Sequence, residues 1–257
     1  MEDRAKQYFN DGRTFAELGQ YAEALASYDK AISIDPNSDD VWFKRGLVLR
    51  SLSQYSEAVA SYDKAIGINP DFAAAWNNRG VALSHISRHS EALASYDKAI
   101  AINPDFADAW YNRGYNLIGL CRYSGALASF NKAISIESNR AGAWFYRGIM
   151  QDNLGRREEA LASFDEAIAL NPKDADAYNK RGNVLNELGR HEEALASYDE
   201  AIAISPNFYQ AWNNRGIVLN ILGQLKDAIA SYDKAITIKP DYVHAKHNRE
   251  IALKKQT

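Results

Sequence analysis

The residues best suited to chemistry occur as a run, Ser-Tyr-Asp-Lys-Ala-Ile, starting at Ser27, Ser61, Ser95 and Ser231, with close variants at Ser129, Ser163 and Ser197. A hydroxyl beside a phenol and a carboxylate has the parts of a nucleophile and its base. Each run, however, lies 34 residues from the next. A catalytic centre is built once, whereas a residue type that recurs in every copy at one place is architecture. The singular candidates also have plain structural readings. Cys121 is the one cysteine, so no internal disulfide can form, and it stands where other copies carry Gly or Ser in a turn. His85 and His89 straddle that turn in their own copy. His244 and His247 could share a helix face, but no third metal ligand accompanies them. There is no nucleophile elbow, phosphate-binding glycine loop or paired metal motif. The expectation is a chain that is not an enzyme and holds no metal or cofactor.

The elements that carry these residues follow from the same period. Counting from Ala5 divides the chain into seven units of 34 residues: 5–38, 39–72, 73–106, 107–140, 141–174, 175–208 and 209–242. A half unit, 243–257, closes it. All five tryptophans fall at position 4 of a unit and all six prolines at position 32, with Ser138 the one departure. Position 8 is Gly and positions 20 and 27 are Ala in every unit, and position 24 is Tyr or Phe. Positions 4, 8 and 11, and again 20, 24, 27 and 28, have helical spacing, so each unit reads as two amphipathic helices. Small residues at 8 and 20 allow close approach of the pair, and proline at 32 ends the second helix. No unit can bury its apolar face alone, so the units must stack.

This pattern resembles the tetratricopeptide repeat family from Ala5 to Tyr242. The resemblance implies an all-α, right-handed superhelical solenoid of antiparallel helix pairs. Residues 243–257 are expected to form a C-terminal capping helix and tail. It also implies a concave groove lined by the first helices, and a role in holding another protein.

Positions 2, 5, 6, 9, 12 and 13 form one stripe of the first helix and vary most between units. Units four and five place Tyr111, Tyr115, Phe145 and Tyr146 there, as candidate aromatic anchors. Units six and seven place Asn179, Asn183, Asn213 and Asn214 there, and position 6 is also Asn at Asn78 and Asn112. A carboxamide donates and accepts, so a row of them suits the main chain of an extended peptide. Lys44, Tyr146 and Lys180 interrupt the row, and Lys180 is counted with the candidate groove residues. A clamp for a terminal carboxylate would need Lys or Arg at position 5, which has none.

Partners are therefore expected to be protein or peptide. Two alternatives remain open: a regulatory or assembly module of a larger complex, and self-association. The net charge of −3 argues against a nucleic-acid partner. No apolar run suggests a signal peptide or membrane insertion, which points to the cytoplasm.

One charge pattern stands outside the family resemblance. Position 7 is Arg45, Arg79, Arg113, Arg147, Arg181 and Arg215, with Arg249 in the cap. Position 25 is Asp in every unit but the fourth, which has Asn131. The first unit has Asp29 but no arginine at position 7, and the cap has Arg249 but no position 25. Only pairing forward, each position 25 residue with the arginine of the following unit, leaves nothing unmatched, with Asn131 facing Arg147 as the one neutral link, so an inter-repeat ladder is expected.

Overall fold

The computed structural model describes residues 2–256. Met1, the first residue of the stretch expected to carry no signal peptide, and Thr257, the last residue of the expected cap, lie outside the described residues. The described residues form fifteen helices and no strand. They divide into two compact units, residues 1–137 and 138–257. The division falls beside Ser138, where the proline of position 32 is missing.

The first unit contains α1 (Glu2–Glu17), α2 (Tyr21–Ile34), α3 (Asp39–Ser51), α4 (Tyr55–Ile68), α5 (Ala73–His85), α6 (His89–Ile102), α7 (Ala107–Gly119) and α8 (Tyr123–Ile136). The second contains α9 (Ala141–Asn153), α10 (Arg157–Leu170), α11 (Ala175–Glu187), α12 (His191–Ile204), α13 (Tyr209–Ile221), α14 (Leu225–Ile238) and α15 (Val243–Gln256). Within each unit every helix packs on the next in sequence, and each first helix also touches the following first helix. No helix among the described residues is long and apolar enough to cross a membrane.

The pattern of burial follows from the repeat. α4 buries Ala58, Ser61, Tyr62 and Ala65, at i, i+3, i+4 and i+7. Its partner α3 offers Gly46, where an added Cβ would lie 2.5 Å from a ring carbon of Tyr62. The position 24 ring thus fills the gap left by the missing side chain, and a methyl there would overpack it. The turn between paired helices uses a left-handed residue at position 15. It is glycine at Gly19, Gly155, Gly189 and Gly223, but Ser53, Ser87 and Cys121 adopt φ of 59°, 60° and 54°. A side chain in that conformation costs about 1 kcal/mol, so these three turns are strained relative to the glycine turns.

Position 4 does more than fill volume. Each tryptophan indole N–H donates to the backbone carbonyl at position 32 of the preceding repeat, as in Trp42 to Pro36 at 2.9 Å and Trp144 to Ser138 at 2.8 Å. The acceptor is a main-chain oxygen, so Ser138 serves as well as proline.

The ladder forms as the end residues require. Arg45, Arg79, Arg113, Arg181, Arg215 and Arg249 donate through Nε to Asp29, Asp63, Asp97, Asp165, Asp199 and Asp233 of the preceding repeat, at 2.5–2.8 Å. Five of the six also donate through Nη1 to the position 23 serine of their own repeat, at 2.7–2.8 Å. Four lie over the position 4 indole, 5.8–5.9 Å from its centroid. The arginines are mostly covered, and the aspartates are half exposed at 50–56%. Screening therefore limits each ion pair to about 1 kcal/mol or less. The Ser-Tyr-Asp run that imitates a nucleophile is the acceptor half of this joint.

Candidate functional site

In the second unit the stripe is a connected set of carboxamides on α11, α13 and α15. Asn214 Nδ2 donates to Asn179 Oδ1 and to Asn183 Oδ1, both at 3.0 Å. Asn183 Oδ1 also accepts from the Tyr198 hydroxyl at 2.8 Å. Asn213 Nδ2 donates to Asn214 Oδ1 at 3.3 Å, and Asn248 Nδ2 to Asn213 Oδ1 at 3.0 Å. Burial pushes the Tyr198 phenol well above its ordinary pKa, so it stays protonated and fixes Asn183 as an acceptor. A cavity of about 230 Å³ opens beside this set, lined by Asn183, Asn186, Glu187, Tyr198, Asn214 and Ile217.

Spacing put Asn179 and Asn213 on the open stripe, but they are buried, at 6% and 3% exposure. Position 5 lies against the neighbouring first helix, so these two carboxamides are held between helices while Asn183 and Asn214 face the cavity. Lys180 is exposed beside them. On α9, Phe145 is half buried, with its ring edge-on to Tyr146 at 5.3 Å and to Phe164 at 6.0 Å.

In the first unit the stripe is more mixed. Asn112 Nδ2 donates to Asn77 Oδ1 at 3.0 Å, repeating the position 6 to position 5 bond. Asn78 instead donates to the Ala74 carbonyl of its own helix at 2.8 Å and accepts from Arg50. Its neighbour at position 5 in the preceding repeat is Phe43, which offers no acceptor. Tyr111 packs edge-on to Phe130 at 5.8 Å and is half buried. Tyr115 is 55% exposed, the most open ring on the stripe.

The family profiles match almost end to end. Profiles described as tetratricopeptide repeat match residues 43–105, 148–207, 107–140 and 209–242, and one described as TPR repeat matches 12–51. The chain belongs to the tetratricopeptide repeat family. Among solved structures, this tetratricopeptide repeat chain is similar to YrrB, described as a TPR protein with an unusual peptide-binding site. The identity is 28% and the TM-score 0.67, over 74% of this chain and 97% of that one. It is similar to the MamA protein at 26% identity and TM-score 0.62, over 68% and 96%. The C-terminal part of a TPR repeat-containing protein from Cytophaga hutchinsonii shares the fold at 17% identity and TM-score 0.76, over 93% and 98%. No curated protein sequence matches the chain.

As a tetratricopeptide repeat protein it is a scaffold of the kind that serves protein interaction. One of its polar networks escaped sequence reading. Asn116 stands at position 10, usually apolar, and is 3% exposed. Its Oδ1 accepts from Ser84 at 2.9 Å and pairs with His89 Nδ1 at 3.0 Å, and its Nδ2 donates to the His89 carbonyl at 2.9 Å. The available signal was the coincidence of a polar position 10 with a serine and a histidine in the preceding repeat. The asparagine bonds had a clearer one. Each Asn at position 5, Asn77, Asn179 and Asn213, is followed in the next repeat by Asn at position 6, Asn112, Asn214 and Asn248.

Proposed function

We propose that the tetratricopeptide repeat stripe binds an extended segment of a partner protein, without catalysis. The proposed architecture is seven repeats, 5–38 to 209–242, closed by a cap at 243–257. The observation that carries this reading is the carboxamide-lined cavity of the second unit. Asn183 and Asn214 are already oriented by Tyr198 and by each other. They present peptide-like groups on a rigid backbone, so little ordering is needed when a ligand binds. A peptide main chain alternates donors and acceptors and is matched by such groups without reference to its side chains. Exposed Tyr115 supplies an aromatic contact for a side chain in the first unit. YrrB, described as having a peptide-binding site, supports the class of ligand. An exposed free Cys121 suits a compartment that keeps thiols reduced, such as the cytoplasm.

Selection from a library of random linear peptides against the whole chain, followed by anisotropy titration, tests the reading. The selected peptides should bind the Asn183→Ala/Asn214→Ala variant at least about 10-fold more weakly, the loss of one or two hydrogen bonds. Peptides that bind this variant as tightly as the parent chain would remove the carboxamide stripe as the site.

A further inference from the structure

The first repeat and the start of the second enclose a cavity of about 220 Å³ whose walls are Ala5, Phe9, Ala31 and Val41, with Lys6, Asp35 and Ser38 around it. The cause lies at position 34, which is Ser38 here but Phe72, Phe106, Phe208 and Tyr242 in the second, third, sixth and seventh repeats. In the second repeat the corresponding walls are Phe43, Ala65 and Ala75, and the chain fills the space between them itself. The Phe72 ring packs on that cluster, with its centroid 4.7 Å from that of Phe43. Ser38 cannot reach so far, and its hydroxyl does not cap α3 either. An apolar cavity of roughly 150 Å³ is already enough to hold a benzene ring.

We propose that this cavity is a binding site for an aromatic side chain, phenylalanine or tyrosine, presented by a partner polypeptide. The occupant is set by the molecule's own second repeat, where a phenyl group attached to a polypeptide is what packs against the equivalent walls, with Phe43 for Phe9, Ala65 for Ala31 and Ala75 for Val41. Exposed Lys6 and Asp35 offer a donor and an acceptor beside the cavity. They can meet the C=O and N–H of the residue whose ring enters. The site lies in the first unit and shares no residue with the Asn183–Asn214 cavity, so it stands or falls separately from the carboxamide reading.

The probe is N-acetyl-phenylalanine amide, titrated into the whole chain and followed by NMR, with N-acetyl-leucine amide, free phenylalanine and the Ser38→Phe variant as comparisons. Binding of the aromatic amide should be roughly millimolar, as its size allows. It should be at least several-fold tighter than that of the leucine amide, with NOEs from the probe ring to the Val41 methyl groups. Ser38→Phe should abolish these signals. It should also raise the melting temperature by about 2–4 °C, as cavity filling worth about 1 kcal/mol does in a chain of this size. Absence of binding to the parent chain, absence of NOEs to Val41, or binding that survives in a folded Ser38→Phe variant would overturn the proposal. Tighter binding of free phenylalanine than of the amide would reassign the cavity to a free amino acid and overturn it too. So would a concentration-dependent dimer that Ser38→Phe dissolves, because the occupant would then be a second copy.

Discussion

Repeats five and six stand side by side in the second unit, share one frame, and bury their polar groups in different ways. In repeat six, Leu185 is fully buried at position 11, and Arg181 divides its guanidinium between Asp165 and Ser197. In repeat five, position 11 is Gln151, buried to 1%. The Ser163 hydroxyl turns to Gln151 Oε1, and Gln151 Nε2 reaches Glu159 at 3.3 Å. Arg147 is then drawn onto Trp144, 4.9 Å from the ring centroid, against 5.8–5.9 Å for the tryptophan-stacked arginines elsewhere. Its Nε is buried with no hydrogen-bond partner among the described residues. Burial accordingly pulls the Arg147 pKa below its ordinary value. Gln151 thus takes up the serine, and position 25 of the preceding repeat is Asn131 rather than Asp, so Arg147, one turn before Gln151 on the same face, lacks both groups that hold Arg181.

The largest test of this contrast exchanges the two core residues. Leu185→Gln should cost about 2–4 kcal/mol, because the new carboxamide is buried where Arg181 already holds Ser197. Gln151→Leu should stabilise by about 1 kcal/mol, because an apolar group replaces a buried polar one and frees Ser163. Urea midpoints measure both, and changes of equal sign would break the comparison. The next test concerns the arginines. Arg181→Met should cost about 1–2 kcal/mol through two lost hydrogen bonds, one of them to a charged partner. Arg147→Met should cost less than about 0.5 kcal/mol. The reverse ranking would mean that Arg147 has a stabilising role which its unpaired Nε hides.

The third test concerns pH. Position 24 is Tyr198 in repeat six and Phe164 in repeat five. The folded pKa of Tyr198 is raised by burial above the ordinary value of about 10. Its contribution is complete below about pH 10 and declines as pH rises further, because the unfolded chain ionises first. Tyr198→Phe should cost about 1 kcal/mol at pH 7 through the lost bond to Asn183. It should also flatten the fall in stability between about pH 10 and 11. Guanidinium melts across that interval measure the slope, and an unchanged slope would mean that the phenol titrates as if exposed. Tyr96, raised to about 12 by the same cause, marks the equivalent window in the first unit.

The repeat frame was legible because the rare residues are also the structural ones. Trp at position 4, Gly at 8, the ring at 24 and Pro at 32 each perform a task that few side chains can. The ladder was legible because its ends are unbalanced: Asp29 has no arginine at position 7 of its own repeat, and the cap that carries Arg249 has no position 25. The stripe was harder to read. Helical spacing separates inward from outward positions to within about one residue, and position 5 lies on that border. Asn179 and Asn213 therefore turn inward although they share an arc with Asn183 and Asn214. Single-repeat periodicity carries no information about bonds between repeats, so the pairs Asn112–Asn77 and Asn214–Asn179 emerge only when adjacent units are compared. The cavity at Ser38 was invisible for a related reason, since a missing ring is a property of two neighbouring segments together.

The arginine joint has one more consequence. Repeats two, three, five, six and seven each carry the donor on the first helix and the acceptor on the second, so the coupling is directional, like a row of identical hooks and eyes. A duplication or deletion in frame of one of these complete copies would cut one hook from one eye and bring an equivalent pair together, leaving the other couplings as they were. Length can therefore change by whole copies without redesigning any contact on the ladder side. A graft from an array lacking the position 7 arginine would leave an aspartate unmet at its junction.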